Sequence, residues 1–257
     1  MDIRVLTLFP EMTDYVIKTS ITGRAIAEGK IGFSSVNIRD FADNKYGKVD
    51  DSPYGGGTGM LMMCMPVYAA WEFAAASFKE PEKPRTIYLS PKGRVFDQKK
   101  AAELSELRNL IFLCGHYEGI DQRVIDEIVD EEISIGDFVL TGGEIAACAV
   151  IDASARLVPG VLPDEDAYSE ESHMRYALEY PQYTKPAVWK DRKVPDVLLS
   201  GHHKNIKEWK RITGLYETMM KRPDLFEKMN VSEDEIEQLL RSVKSDTDQG
   251  SAGQHTA

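Results

Sequence analysis

Short apolar runs alternate with stretches of helical spacing through the first 160 residues. Runs rich in β-branched and other apolar residues at Ile3–Phe9, Val36–Ile38, Thr86–Leu89, Leu110–Cys114 and Ile133–Ile135 predict strands. Between them, Pro10 suits a first helical position, Ala69–Phe78 is Ala-rich, and Gln98–Leu107 and Val124–Val129 carry apolar residues at the 3.6-residue period. Glu144–Leu157 is a longer apolar helix. Strands alternating with helices predict an α/β domain with a mostly parallel sheet. The most apolar window, Met60 to Phe78, contains Pro66 and Glu72 and predicts a core helix, not a membrane span.

The pattern changes after residue 161. Leu162 to Tyr180 carries Asp164, Glu165, Asp166, Glu170, Glu171 and Glu179 against Arg175, the mark of an exposed acidic linker over 162–180. Beyond it the spacing predicts a small α-helical domain over 181–244. Its helical stretches lie near Ile206–Tyr216 and Val231–Val243, the second opened by a Ser232/Glu235 capping box. Residues 245–257 lack apolar periodicity and predict a disordered tail.

Composition narrows the function. The 257 residues carry 31 Lys and Arg against 42 Asp and Glu, a net charge of −11, which argues against a wholesale nucleic-acid coat. The charge is uneven, however. From Lys185 to Arg211, eight basic residues face three acidic ones, a local +5, with Trp189, Trp209, His202 and His203 interleaved. Such a stretch fits phosphates and unpaired bases, or it is a solvated helical face. Cys64, Cys114 and Cys148 form no C-x-x-C pair and suit buried thiols in a reducing cytosol. Cys114 precedes a glycine-rich turn, but nothing beside it supports a nucleophile. No signal peptide opens the chain, so the expected compartment is the cytoplasm, with no membrane partner.

Three predicted strands run straight into turns that mix glycine with polar groups: Leu89–Arg94, Cys114–Asp121 and Ser134–Gly143. In open α/β sheets ligands bind beyond the carboxyl ends of the strands, and three such loops in succession could build one pocket. A fourth glycine-rich segment, Ser52–Met60, lacks the Lys-Ser/Thr of a P-loop. The first strand is followed by Pro10-Glu11-Met12 instead of G-x-G-x-x-G, which removes the dinucleotide-binding reading. No H-E-x-x-H or Cys/His cluster suggests a structural zinc, and no residue is assigned to a metal.

These motifs, with Pro159–Leu162 and Tyr180–Pro186, resemble in order and spacing the bacterial tRNA (guanine-N1)-methyltransferases of the TrmD family, over about residues 1–242. The resemblance implies a SPOUT-class fold: an α/β domain at 1–161 with helices on both faces of the sheet and a C-terminal trefoil knot, followed by the small helical tRNA-binding domain. It implies a homodimer acting on S-adenosylmethionine, with magnesium suggested, and methylation of N1 of the guanosine 3′ of the anticodon.

Carried over, the cofactor contacts are Tyr88, Leu89, Ser90, Pro91, Gly115, Tyr117, Glu118, Ser134, Ile135, Gly136, Asp137, Phe138, Val139, Leu140, Gly142 and Gly143. Apolar Leu89, Ile135 and Leu140 suit the faces of an adenine. Glu118 could offset a sulfonium charge, accept from a ribose hydroxyl, or be a solvated acid. The family's catalytic Asp aligns with Glu171, which keeps the carboxylate on a longer arm and is the proposed base. Arg156 fills the family's arginine position, where it would hold guanine O6; otherwise it is a helix C-terminal dipole partner. Lys185, Arg192, His203, Lys207 and Trp209 are the candidate RNA contacts. His116 stands where many relatives carry Arg, and Ala146 where many carry Pro. The alternatives are a knotted ribose 2′-O-methyltransferase and a non-catalytic RNA-binding module of the same fold.

Overall fold

The computed structural model describes residues 1–80, 82–162, 172 and 177–240. The linker's acidic centre, Glu171 included, and the predicted tail lie outside the described residues. The chain divides into two compact units near residue 165.

In the first unit, five strands form one parallel sheet in the order β2-β1-β6-β5-β7. They are β1 (Asp2–Thr7), β2 (Gly32–Asn37), β5 (Arg85–Val95), β6 (Asn109–Cys114) and β7 (Glu131–Ser134). Two short strands, β3 (Asp50–Asp51) and β4 (Leu61–Met62), pair antiparallel outside it. The helices are α1 (Pro10–Ile17), α2 (Ser20–Ala27), α3 (Cys64–Ala76), α4 (Gln98–Ser105), α5 (Gln122–Ile128) and α6 (Glu144–Ala155).

The two-residue period of the strands sorts the core into two layers. On β6, Leu110, Phe112 and Cys114 join α1, α4 and α6 through Ile17, Leu104, Ala147 and Ile151. Ile111 and Leu113 point the other way, to Val67, Ala70 and Ala74 of α3 and Val124, Ile125 and Ile128 of α5. Every residue of β6 is buried, which is why it is a continuous apolar run rather than an alternating one. Removing a side chain such as Phe112 from water contributes about 1.5–3 kcal/mol. The helix starts are written locally: the Asp97 carboxylate accepts from Lys100 N at 2.8 Å and that of Asp121 from Arg123 N at 3.0 Å.

Several boundaries differ from the sequence pattern. β2 begins at Gly32, earlier than predicted, because Ser34 and Ser35 dilute its apolar signal, and Ile38 opens a 3-10 turn instead of ending the strand. α2 is absent from the sequence pattern because the residues it buries, Thr22 and Ala25, are not large apolar ones. Met60 to Phe78 is a helix only from Cys64 onward, since Leu61 and Met62 pair with β3. Cys64 is half-buried, not a core thiol like Cys114 and Cys148.

In the second unit, a hairpin of β8 (Val188–Trp189) and β9 (Arg192–Lys193) turns through Lys190 and Asp191, both at positive φ. Then come α7 (Asp196–Leu199), the long α8 (His203–Lys221) and α9 (Pro223–Phe226). A further helix, α10, occupies residues 233–240 of the described chain. Its capping box is formed as predicted: Ser232 N donates to Glu235 Oε2 at 3.0 Å and Glu235 N to Ser232 Oγ at 3.3 Å. Its core is small, Ile212, Leu215 and Leu239 with Phe226, Met229 and Val231 around them. Gly214 sits inside α8 because a Cβ there would stand 2.9 Å from Leu178 O. Thr218 fastens the incoming chain, accepting from Leu178 N at 2.8 Å.

Candidate functional site

A pocket of about 240 Å³ opens beyond the carboxyl ends of β6 and β7 and beside the middle of β5. Its wall contains Tyr88 to Pro91, Gly115, Tyr117, Glu118, Ser134 to Gly136, Phe138 to Leu140, Gly142 and Gly143. Asp137, expected with them, does not line it. Phe138 N donates to Gly136 O at 2.9 Å, so the chain doubles back and leaves Asp137 exposed at the apex. His116, Gly119, Ile133, Thr141 and Ala146 also line the pocket. His116, Gly119 and Thr141 sit inside the same motifs, while Ile133 and Ala146 lie just outside them, in the strand before and the helix after the third loop.

Each loop has a physical reason for its glycines. The first is an excursion within one strand: Leu89 and Arg94 of β5 both register with Ile133 of β7, so Ser90 to Gly93 loop out. A Cβ on Gly93 would meet the Glu132 carbonyl carbon at 2.5 Å, which lets only glycine re-enter the sheet there. In the second loop a Cβ on Gly115 would stand 2.9 Å from the Tyr88 hydroxyl. Burial, with the nearby Glu132 carboxylate, pushes the Tyr88 phenol up to about 12, so it stays a neutral donor. In the third, Gly136 has φ +147 and its N–H donates to Ser134 Oγ at 3.2 Å, while Gly143 N donates to Gly115 O at 3.0 Å. A Cβ on Gly143 would lie 2.8 Å from Cys114 Cα.

A buried polar chain stitches the pocket floor. Glu144, 2% exposed at the start of α6, accepts from Thr7 Oγ1 at 2.6 Å on one carboxylate oxygen and meets His116 Nε2 at 2.7 Å on the other. A carboxylate this deep is tolerable because both oxygens have partners. The His116 ring lies 4.9 Å from that of Phe9. Burial holds the Cys114 thiol well above the ordinary range, so at neutral pH it is a protonated core group, not a nucleophile.

Arg156 is half-buried at the C-terminal end of α6. The pocket reaches that helix only as far as Ala146, and ten residues at about 1.5 Å each put roughly 15 Å between Ala146 and Arg156. One chain does not bring Arg156 to its own pocket.

Among the RNA candidates, Lys185, Arg192, His203 and Lys207 are exposed. Trp209 is half-buried, with Tyr180 and Tyr183 at ring distances of 6.1 and 6.5 Å, and Lys210 lies over Tyr180. Arg211, counted in the basic run, pairs with Glu235 at 2.7 Å. The hairpin tip offers Trp189, 57% exposed, with Lys190 Nζ 4.8 Å from its ring centre. No helix among the described residues is long and apolar enough to cross a membrane. None of their His, Cys, Asp and Glu groups form a cluster of three or more able to hold a metal ion.

The model of the family described as tRNA (Guanine-1)-methyltransferase TrmD matches residues 1–228. A protein of Ruminiclostridium cellulolyticum named tRNA (guanine-N(1)-)-methyltransferase is 55% identical over 229 residues, 89% of this chain and 97% of its own. Proteins of the same name from Alkaliphilus oremlandii (55% identical, 88% of this chain and 92% of its own) and Clostridium perfringens (52%, 94% and 100%) are similarly close.

Proposed function

The chain belongs to the tRNA (guanine-1)-methyltransferase family, and from that premise we propose that it transfers a methyl group from S-adenosylmethionine to N1 of the guanosine 3′ of the anticodon in tRNA. The observation that carries the reading is the convergence of three glycine-bearing loops on one pocket at the carboxyl edge of the sheet.

The residues fit the donor. Gly115, Gly142 and Gly143 let the loops pack tightly, since a Cβ at each would strike Tyr88, His116 or Cys114, and Leu89, Ile135 and Leu140 present apolar surface to an adenine. When bound, S-adenosylmethionine supplies an electrophilic methyl on a sulfonium. Glu118, exposed at the rim, can balance that charge or accept from the ribose. On the acceptor side, N1 must lose a proton, and Glu171 is our candidate base; it lies outside the described residues and rests on its carboxylate and on the resemblance. Arg156 would hold O6 as negative charge grows there. No step is assigned to magnesium, since the described donor set offers it no cluster.

The separation of Arg156 from the pocket supports a homodimer in which a second copy brings this arginine to the donor. The apolar rim supports it too: Phe138 is 53% and Val139 82% exposed. We place the enzyme in the cytoplasm, where tRNA is found, and read 1–161 as the knotted donor domain, 162–180 as the linker and 181–244 as the tRNA-binding domain. The trefoil threading rests on family membership.

Mapping methylated positions in tRNA after incubation with radiolabelled S-adenosylmethionine tests the reading. Label on N1 of the guanosine 3′ of the anticodon is expected. Label on a ribose 2′-hydroxyl would indicate the other knotted chemistry, and no label a non-catalytic module. Glu171→Gln should lower kcat by about 10²–10⁴-fold with donor affinity kept; full turnover would remove Glu171 as the base.

A further inference from the structure

We propose that His116 is a positioning residue for the methyl donor, acting through Glu144 and Thr7 as a buried latch that closes two walls of the pocket; this rests on the reading of the pocket as the donor site. Three segments far apart in sequence meet at one carboxylate. Thr7 ends β1, His116 stands in the loop after β6, and Glu144 opens α6. The Thr7 hydroxyl donates to one Glu144 oxygen at 2.6 Å, and that hydroxyl in turn accepts from Phe9 N at 2.9 Å. His116 Nε2 lies 2.7 Å from the other oxygen and completes the partners of the carboxyl group.

The latch leaves little tolerance. A Cβ on Gly142 would stand 2.3 Å from the imidazole Nε2 and 2.6 Å from Glu144 Oε2, so the glycine is what lets the ring reach the carboxylate. The backbones of His116 and Gly142 bridge antiparallel beside it. Directly after His116 come Tyr117 and Glu118, and directly before Glu144 come Gly142 and Gly143, all four in the pocket wall. Tyr117 holds φ +60, a left-handed conformation that a non-glycine residue keeps only when its neighbours restrain it. Neither Glu144 nor the inner edge of His116 needs to touch the donor. Their contact sets the spacing of the loops that do.

The test is calorimetric titration of S-adenosylmethionine into the full-length protein, with KM and kcat measured on tRNA for the same variants. His116→Ala strands a buried carboxylate oxygen and should weaken donor binding about tenfold or more, raising KM for the donor more than it lowers kcat. His116→Gln places an amide N–H near the position of Nε2 and should keep affinity within about threefold of wild type. Glu144→Ala, which also releases Thr7, should weaken donor binding at least as much as His116→Ala, and the double variant should be no worse than Glu144→Ala alone, since the His116 contact is already lost in it. Should the alanine variants fail to fold, His116→Gln against His116→Leu, with Thr7→Val, carries the comparison. Wild-type affinity in His116→Ala or His116→Leu, equal loss in His116→Gln, or additive losses would overturn the latch. A wild-type protein that methylates tRNA while the variants bind the donor normally sinks the latch alone. A wild type that binds no donor sinks the site reading and the latch with it.

Discussion

The two units offer different kinds of candidate surface. In the α/β unit the pocket is shaped by loops whose glycines pack against neighbouring atoms, above a core of fully buried residues such as Phe112 and Leu110. In the second unit the candidate surface is side chain: Lys185, Arg192, His203 and Lys207 stand exposed over a core of few residues. A site shaped by close-packed loops depends on space, so its failures should be abrupt. A surface of solvated charges depends on summed Coulomb attraction, so its failures should be graded and sensitive to salt.

The sharpest break in that contrast is Gly143→Ala. Its Cβ would stand 2.8 Å from a backbone atom of β6, which cannot move aside. Titration should show a loss of donor affinity of about 100-fold or more, and near-normal binding would mean that the loops adapt and the pocket is not rigid. Arg156→Ala should lower kcat by about 10²-fold while donor affinity stays level. Mixing it with a pocket variant such as Gly143→Ala sharpens the test: if a second copy supplies the arginine, heterodimers regain part of the activity that neither parent shows.

Smaller effects belong to the second unit. Removing Lys207 or Arg192 should cost several-fold in tRNA affinity at low salt and flatten the salt slope by about one per lost phosphate contact, with no change in donor titration. A variant that altered donor binding equally would blur the two modes. Smallest is the thiol chemistry of the first unit. With the Cys114 thiol held well above its usual range by burial and Cys148 pushed up to about 11, alkylation at pH 8.5 should label half-buried Cys64 first. The folded protein keeps protons that the unfolded chain loses above pH 9, so these thiols make stability fall, not rise, as pH climbs through that range.

Legibility differs between the units for the same reason. β6, buried on both faces, is visible as a continuous apolar run, whereas half-buried β2 shows only its Val36 end and β7 only Ile133 and Ser134. The hairpin at 188–193 is not visible, because its turn uses Lys190 and Asp191 at positive φ where the usual signal is Asn-Gly or Asp-Gly. The pocket loops are visible as glycine with polar groups after strands. Asp137 is expected in the wall from the resemblance, and the Phe138 N–Gly136 O turn instead leaves it exposed. Net charge of −11 describes the whole chain and conceals the basic stretch, though the Arg211–Glu235 pair shows that part of that stretch is already neutralised within the unit.

By itself the sequence determined the strands, most helices, the turns that can carry ligand and the family, because apolar period, caps and glycine placement act over a few neighbouring residues. Only the tertiary structure decided which turns share a wall, that β5 leaves and rejoins its own register, and that Arg156 stands most of the length of α6 from the pocket. It alone joined His116 to Glu144 and Thr7, a contact across 28 and 137 positions. Such pairings come from how the sheet orders its strands, and no local rule encodes that order.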